Sequence, residues 1–297
     1  MRYRGRGPMQ RRVRMGGALV AVLAVVATGA GTGPSAAAAV PPSPQGYILA
    51  AADGGVFTFG RTFHGSAAGI HLRAPIVGIA STAADGGYWL VAADGGVFAF
   101  GDARFFGSLG GVTLNRSIVG IAATPDGGGY WLVGADGGVF AFGDARFFGS
   151  MAGAHVLAPF VGMASTRDGG GYRLLTESGE VFSFGDGLAA GDPPAVQAPS
   201  PGRYVAIARI LISDRGVVMT TSDGVLSDFD PKNASCNSYL DAPPPMNAPV
   251  VGVAAASAWC SQWLAGSDGG VFTNGGQPFH GSAANLSLAA PIVAIAS

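Results

Sequence analysis

Few residues in this chain are of types that do chemistry, and they are evenly spread. Aspartates precede glycine at Asp53, Asp94, Asp136, Asp223 and Asp268, and a second set stands at Asp85, Asp126, Asp168 and Asp214. Carboxylates bind calcium, so the turns invite a cation reading. A calcium loop, however, gathers several oxygen ligands within about a dozen residues. Here each turn offers a single aspartate. Asp-Gly between apolar runs is the signature of a tight hairpin turn, and that role is expected for both sets.

Four histidines follow the same logic. His64 and His280 replace the second phenylalanine of an "RFFGS" string, while His71 and His155 share a loop position. Metal ligation needs convergence, and these lie in different copies of a repeat. No G-x-S-x-G, H-E-x-x-H or P-loop occurs. No catalytic residue and no cofactor are therefore expected. Cys236 and Cys260 are read as a disulfide, because two cysteines alone fall short of a four-ligand metal site.

The elements that must position these residues come from one repeat. "GYWLVAADGGVFAFGDARFFGS" at 87–108 returns at 129–150 with one change, Ala92 to Gly134. Related copies start near 46, 87, 129, 171, 216 and 261, with spacings of 41, 42, 42, 45 and 45. In each, "YWLVAA" is an apolar run, "DGG" a turn, "VFAFG" a second strand and "RFFGS" another. An "IVGIA" strand then leads to the next copy. Four short antiparallel strands in about 42 residues is the size of a propeller blade. The expectation is an all-β, six-bladed β-propeller over residues 46–297.

"IVGIA" recurs six times with a small residue at its centre: Gly78, Gly120, Gly162, Ala206, Gly252 and Ala294. That suits the innermost strand, where backbones crowd around the axis. The first copy begins at "GYIL", and "PIVAIAS" closes the sequence. Split-blade closure is expected, with the strand at Ile292 pairing the strand at Tyr47 and removing the open edges. Tyr88, Trp89, Tyr130 and Trp131 would suit sugar stacking, but both faces of a blade pack on neighbours, so they are assigned to the core. Arg104 and Arg146 on the outer strand are read as solvated edge charges.

Residues 1–39 read as a secretory signal peptide. Arg2, Arg4, Arg6, Arg11, Arg12 and Arg14 precede an apolar stretch and "PSAAAAV". Residues 40–45 form a short linker. Six of the 17 basic residues lie in this leader and none of the 18 acids does, leaving 11 against 18, a net charge of −7. Such a balance argues against nucleic acid as a partner. No other segment is long and apolar enough to span a bilayer, and a monomer is expected. At 48% hydrophobic residues the chain is not of disordered composition.

With the "GYWLVxxDGGVFxFGDAxFFGS" unit established, the chain resembles a repeat of exported actinobacterial proteins, sometimes joined there to cell-wall hydrolase or peptidase modules. More distantly it is similar to RCC1-type and tachylectin-type propellers. The resemblance covers 46–297, is specific for copies two and three, and is loose for four and five. It implies fold and export, and brings no catalytic residue.

Copies four and five break the pattern, and loops on a rigid scaffold often carry recognition. The candidate binding residues are Asp192, Arg203, Asp230, Lys232, Asn233, Tyr239 and Asp241. The function expected is an exported, non-catalytic binding or scaffold module at the cell envelope or outside the cell, with a glycan or a protein as ligand. A multivalent lectin and a propeller-type glycosidase or lactonase are the alternatives, the last needing unlike residues to converge on the channel.

Overall fold

The computed structural model describes residues 46–187, 202–210, 216–229, 247–256, 261–275 and 277–297. In chain order the strands are β1 (Tyr47–Ala51), β2 (Val56–Phe59), β3 (Ile76–Ser81), β4 (Gly87–Ala92), β5 (Val97–Gly101) and β6 (Ile118–Ala123). Next come β7 (Gly129–Gly134), β8 (Val139–Gly143), β9 (Phe160–Ser165), β10 (Gly171–Thr176), β11 (Val181–Gly185) and β12 (Tyr204–Arg209). The series ends with β13 (Val217–Thr221), β14 (Leu226–Phe229), β15 (Val250–Ala255), β16 (Gln262–Gly266), β17 (Val271–Asn274) and β18 (Ile292–Ala296).

They form six antiparallel three-stranded sheets: β18-β1-β2, β3-β4-β5, β6-β7-β8, β9-β10-β11, β12-β13-β14 and β15-β16-β17. These are blades one to six of a six-bladed propeller. Each inner strand touches the inner strand of the next blade, from β18 through β3, β6, β9, β12 and β15 back to β18. Closure is as expected: Ile48 faces Ala296, Leu49 faces Ile295 and Ala50 faces Ala294. Middle strands such as β4, β7 and β10 are buried along their whole length. A sheet sandwiched by blades on both faces has no polar side, and so "GYWLVA" reads as an unbroken apolar run. Leu90, Leu132 and Leu174, all fully buried, contribute about 1.5–3 kcal/mol each by leaving water.

One backbone hydrogen bond recurs at all six blade boundaries. The first residue of each inner strand donates its N–H to the carbonyl of the residue before the hairpin turn of the preceding blade, a turn that is Asp-Gly in five blades and Ser178-Gly179 in blade four. The pairs are Ile76 to Ala52 (2.9 Å), Ile118 to Ala93 (2.9 Å), Phe160 to Ala135 (3.0 Å), Tyr204 to Glu177 (3.1 Å), Val250 to Ser222 (2.9 Å) and Ile292 to Ser267 (3.0 Å). The last of these completes the ring. The second residue of every inner strand, a valine in all six, is a bulge: Val77, Val119, Val161, Val205, Val251 and Val293. The central small residues sit where the next inner strand approaches. A Cβ on Gly252 would lie 2.9 Å from the Ile295 side chain, and one on Gly78 3.3 Å from that of Ile121.

The expected fourth strand is corrected. "RFFGS" pairs in no ladder, and in blades one, two, three and six it runs as an irregular segment outside the third strand. Side chains have taken the backbone groups a ladder would use. The indole N–H of Trp89 donates to the Arg104 carbonyl at 2.7 Å, and Trp131 binds Arg146 at 2.8 Å. Trp89 lies opposite Ala99 on β5 and Trp131 opposite Ala141 on β8. Those small residues leave space across the third strand for the indole. From the next blade, the Tyr130 hydroxyl donates to the Gly107 carbonyl at 2.5 Å and accepts the Phe106 N–H at 3.2 Å. Tyr88 to Gly65 and Tyr172 to Gly149 repeat this contact, and Tyr47 to Gly281 makes it across the closure.

Two outcomes follow. Removing residues 291–297 deletes the inner strand of blade one and the sixth boundary bond; the truncated protein is expected to lose its cooperative thermal transition by circular dichroism. Burial raises the hydroxyl pKa of Tyr47, Tyr88, Tyr130 and Tyr172 above the ordinary value. The folded state thus holds these protons more tightly than the unfolded chain. Their stabilisation is complete below about pH 10 and is lost as pH rises through the raised values. Alkaline titration is expected to show stability falling above about pH 10, and falling less in a Tyr88→Phe/Tyr130→Phe variant.

Candidate functional site

The outer segment is built so that one phenylalanine turns in and its neighbour turns out. Phe106 packs against Trp89 and Tyr130, with ring centroids 6.4 Å and 5.8 Å away. Phe148 packs on Tyr172 at 5.7 Å. The preceding residue faces solvent, since adjacent residues of an extended chain point opposite ways. Phe63, Phe105, Phe147 and Phe279 are 56%, 60%, 61% and 59% exposed. Arg104 and Arg146 beside them are exposed as expected, and the Arg146 guanidinium lies 5.9 Å from the Phe148 ring centre. The next loop exposes a further apolar side chain at Ile70, Val112, Leu157 and Leu286.

Gly107 fixes the geometry of the segment. Its φ of +135° is in glycine territory, and a Cβ there would sit 2.7 Å from the Phe142 ring of the next blade. The segment is then pinned to its own blade by Leu109 N–H on the Gly95 carbonyl at 2.9 Å.

Partner and acceptor disappear together. Blades four and five lack the FFGS or FHGS string, and the blades that follow them carry Val217 and Gln262 where the tyrosine otherwise stands. Gln262 instead accepts from Asn274 within its own sheet at 2.8 Å. Arg173 takes the tryptophan position in blade four, opposite Ser183, and its Nε donates to the serine hydroxyl at 3.1 Å.

Along the axis, residues two, three and four of every inner strand line a channel with about 100 Å³ of free space. Its wall repeats valine, then glycine or alanine, then an isoleucine-like residue: Val77, Gly78 and Ile79 in blade two, and Val205, Ala206 and Ile207 in blade five.

The first set of aspartates performs the turn role. Asp53, Asp94, Asp136 and Asp268 each accept the N–H two residues on, at 2.9, 2.9, 3.0 and 2.9 Å. Asp223 accepts the Thr221 hydroxyl. In the second set, Asp85 adopts a φ of +59° and pairs with Arg61 at 2.7 Å across the first blade boundary. A hydrogen bond from Thr124 holds Asp126 below the usual carboxylate range, while burial raises its neighbour Asp144. Asp168 accepts from Thr166 at 2.9 Å. Asp214 lies outside the described residues.

His71 and His155 are exposed in separate loops. His64 and His280 occupy the inward phenylalanine position, each 6.0 Å from a tyrosine ring, Tyr88 and Tyr47. Among the described residues no group of three His, Cys, Asp or Glu side chains could hold a metal ion, and no helix is long and apolar enough to cross a membrane. Cys236 and Cys260 lie outside the described residues, as do Asp192, Asp230, Lys232, Asn233, Tyr239 and Asp241. Arg203 is exposed and pairs with Glu177 at 2.9 Å. The outward phenylalanines were missed in the sequence, although two adjacent aromatic residues on an outermost segment covered on one side cannot both face the core.

No protein-family model matches the chain, and no curated protein matches it.

The ring nitrogens Nε2 of His64 and His280 are buried without a hydrogen-bond partner. A buried unsatisfied polar group costs about 1–3 kcal/mol, and phenylalanine fills the equivalent place at Phe106 and Phe148. His64→Phe is expected to stabilise the domain by about 1 kcal/mol, read as a raised melting temperature.

Proposed function

We propose that this chain is an exported, non-catalytic binding propeller whose regular blades present repeated aromatic contacts to a glycan at the cell envelope or outside the cell. The observation that carries the reading is the set of outward phenylalanines. A single exposed ring is ordinary on a protein surface. Four rings at one repeat position, each held on a segment pinned by buried tryptophan, tyrosine or histidine neighbours, are a patterned surface. Rigid aromatic groups supply contact area at small entropic cost.

Spacing favours a glycan over a protein. A stable protein partner needs on the order of 800 Å² on each side, with a continuous apolar centre. One ring per blade gives small, separated and equivalent contacts. A polymer of repeating units can engage several at once, and linkage multiplies weak contacts into useful avidity. The channel wall, where a propeller hydrolase would assemble unlike catalytic groups, repeats the same apolar types from each blade, and this favours binding over turnover. Export rests on the basic, apolar and small-residue order of residues 1–39 and on the resemblance to exported repeat proteins.

The test combines a glycan array with a pull-down on purified cell wall. Wild-type protein is expected to bind saturably. A Phe63→Ser/Phe105→Ser/Phe147→Ser/Phe279→Ser variant, folded by its melting curve, should bind at least tenfold more weakly, and single variants severalfold. Undiminished binding by the quadruple variant would overturn the aromatic site. Turnover of a glycoside or ester substrate would overturn the non-catalytic reading.

A further inference from the structure

The geometry points to an anion-binding site where the inner strands end, with Arg209 as its cation and a small, singly charged carboxylate as its ligand. The last residue of each inner strand occupies one equivalent position around the axis. Five blades place a small side chain there: Ser81, Ala123, Ser165, Ala255 and Ser297, the last just past the end of β18. Blade five alone places a long cation, Arg209.

This arginine is poorly satisfied. A guanidinium carries five N–H donors. Among the described residues the one acceptor of Arg209 is the Thr166 carbonyl of blade four, at 3.4 Å, and no carboxylate lies within ion-pair reach. Two of the three equivalent serines, Ser165 and Ser297, show what that position does when it serves packing alone, while the hydroxyl of the third, Ser81, is buried without a partner. Ser165 donates to the Ala123 carbonyl at 3.2 Å and Ser297 to the Ala255 carbonyl at 2.8 Å, each spanning a blade boundary. Arg209 spans the same kind of boundary but makes a long single bond and leaves the rest of its fork open.

The surroundings strengthen the demand for a counter-ion. Arg209 is half-buried. Burial first, and the charge of Arg167 second, hold its pKa below the usual arginine range. A partly desolvated charge is costly unless it is paired, and here the nearest interacting charge has the same sign. A carboxylate fits the planar fork in a bidentate manner, and its single charge balances one guanidinium. The site is separate from the phenylalanine rim and does not depend on the glycan reading.

The probes are sodium acetate and sodium phosphate, each compared with sodium chloride at equal ionic strength, with the melting temperature and isothermal titration as readouts. Acetate is expected to raise the melting temperature saturably in the wild-type chain. Arg209→Gln removes the half-buried charge and is expected to keep or raise stability without ligand, so loss of folding does not mask the result. In that variant the apparent Kd for acetate should rise at least tenfold. An acetate response of equal size in Arg209→Gln, the absence of a saturable response in the wild type, or a response to phosphate without one to acetate would each overturn the assignment.

Discussion

The ring depends on a single backbone hydrogen bond made six times. The first residue of each inner strand donates to the residue before the hairpin turn of the preceding blade, over 2.9 to 3.1 Å. Because donor and acceptor are both main chain, the bond survives wide variation in side chain, from Ile76 on Ala52 to Tyr204 on Glu177. The geometry it requires is local: a hairpin tight enough to present that carbonyl, and an inner strand bulged at its second residue. Aspartate and glycine supply the first in five blades, Ser178 and Gly179 in blade four, and valine supplies the second in all six. Chemistry that looks available at the aspartates is therefore already committed, since their carboxylates cap the hairpins from which each next blade hangs.

A second tier of interactions fastens the rim, and it is made by side chains. Tryptophan reaches outward across a small residue to hold its own outer segment, and tyrosine reaches from the following blade to hold the same segment. This arrangement explains why the expected fourth strand does not form: Arg104 and Gly107 give their carbonyls, and Phe106 its N–H, to side chains. It also explains why tyrosine is lost in blades five and six. Blades four and five lack the FFGS or FHGS string whose glycine accepts the tyrosine hydroxyl elsewhere, and a buried phenol left without an acceptor costs more than a valine or a cross-strand glutamine. Rim and core can vary independently because the backbone bond is made at all six boundaries, whereas the tyrosine contact is made at four.

Much of this was legible in the sequence. Six "IVGIA" strings gave blade number, a central glycine or alanine marked the crowded axis, and the split frame foretold the pairing of β18 with β1. Tyr88 and Trp89 were correctly placed in the core, because a strand packed on both faces has no outward side. The fourth strand was not legible, because pattern alone does not distinguish a ladder from a segment held by side-chain bonds at similar apolar content. Phe105 was hidden because reading "RFFGS" as a strand did not separate its two adjacent rings. Arg209 was hidden for another reason. It follows an ordinary inner-strand sequence, and only the alignment of six strand ends around an axis shows that it stands where the others are small.

On the two proposals above, repetition and its failure serve different recognition chemistries. Regular blades would multiply one weak aromatic contact, and a contact of that kind gains from being copied. A charged site gains nothing from being copied around a narrow axis, because like charges crowded at the ends of six inner strands would repel and resist burial. One arginine among five small residues is the arrangement that electrostatics permits there. The decayed blade five can carry it because its tie to the ring is the backbone bond from Tyr204 to Glu177, which does not depend on the tyrosine contact that blade has lost.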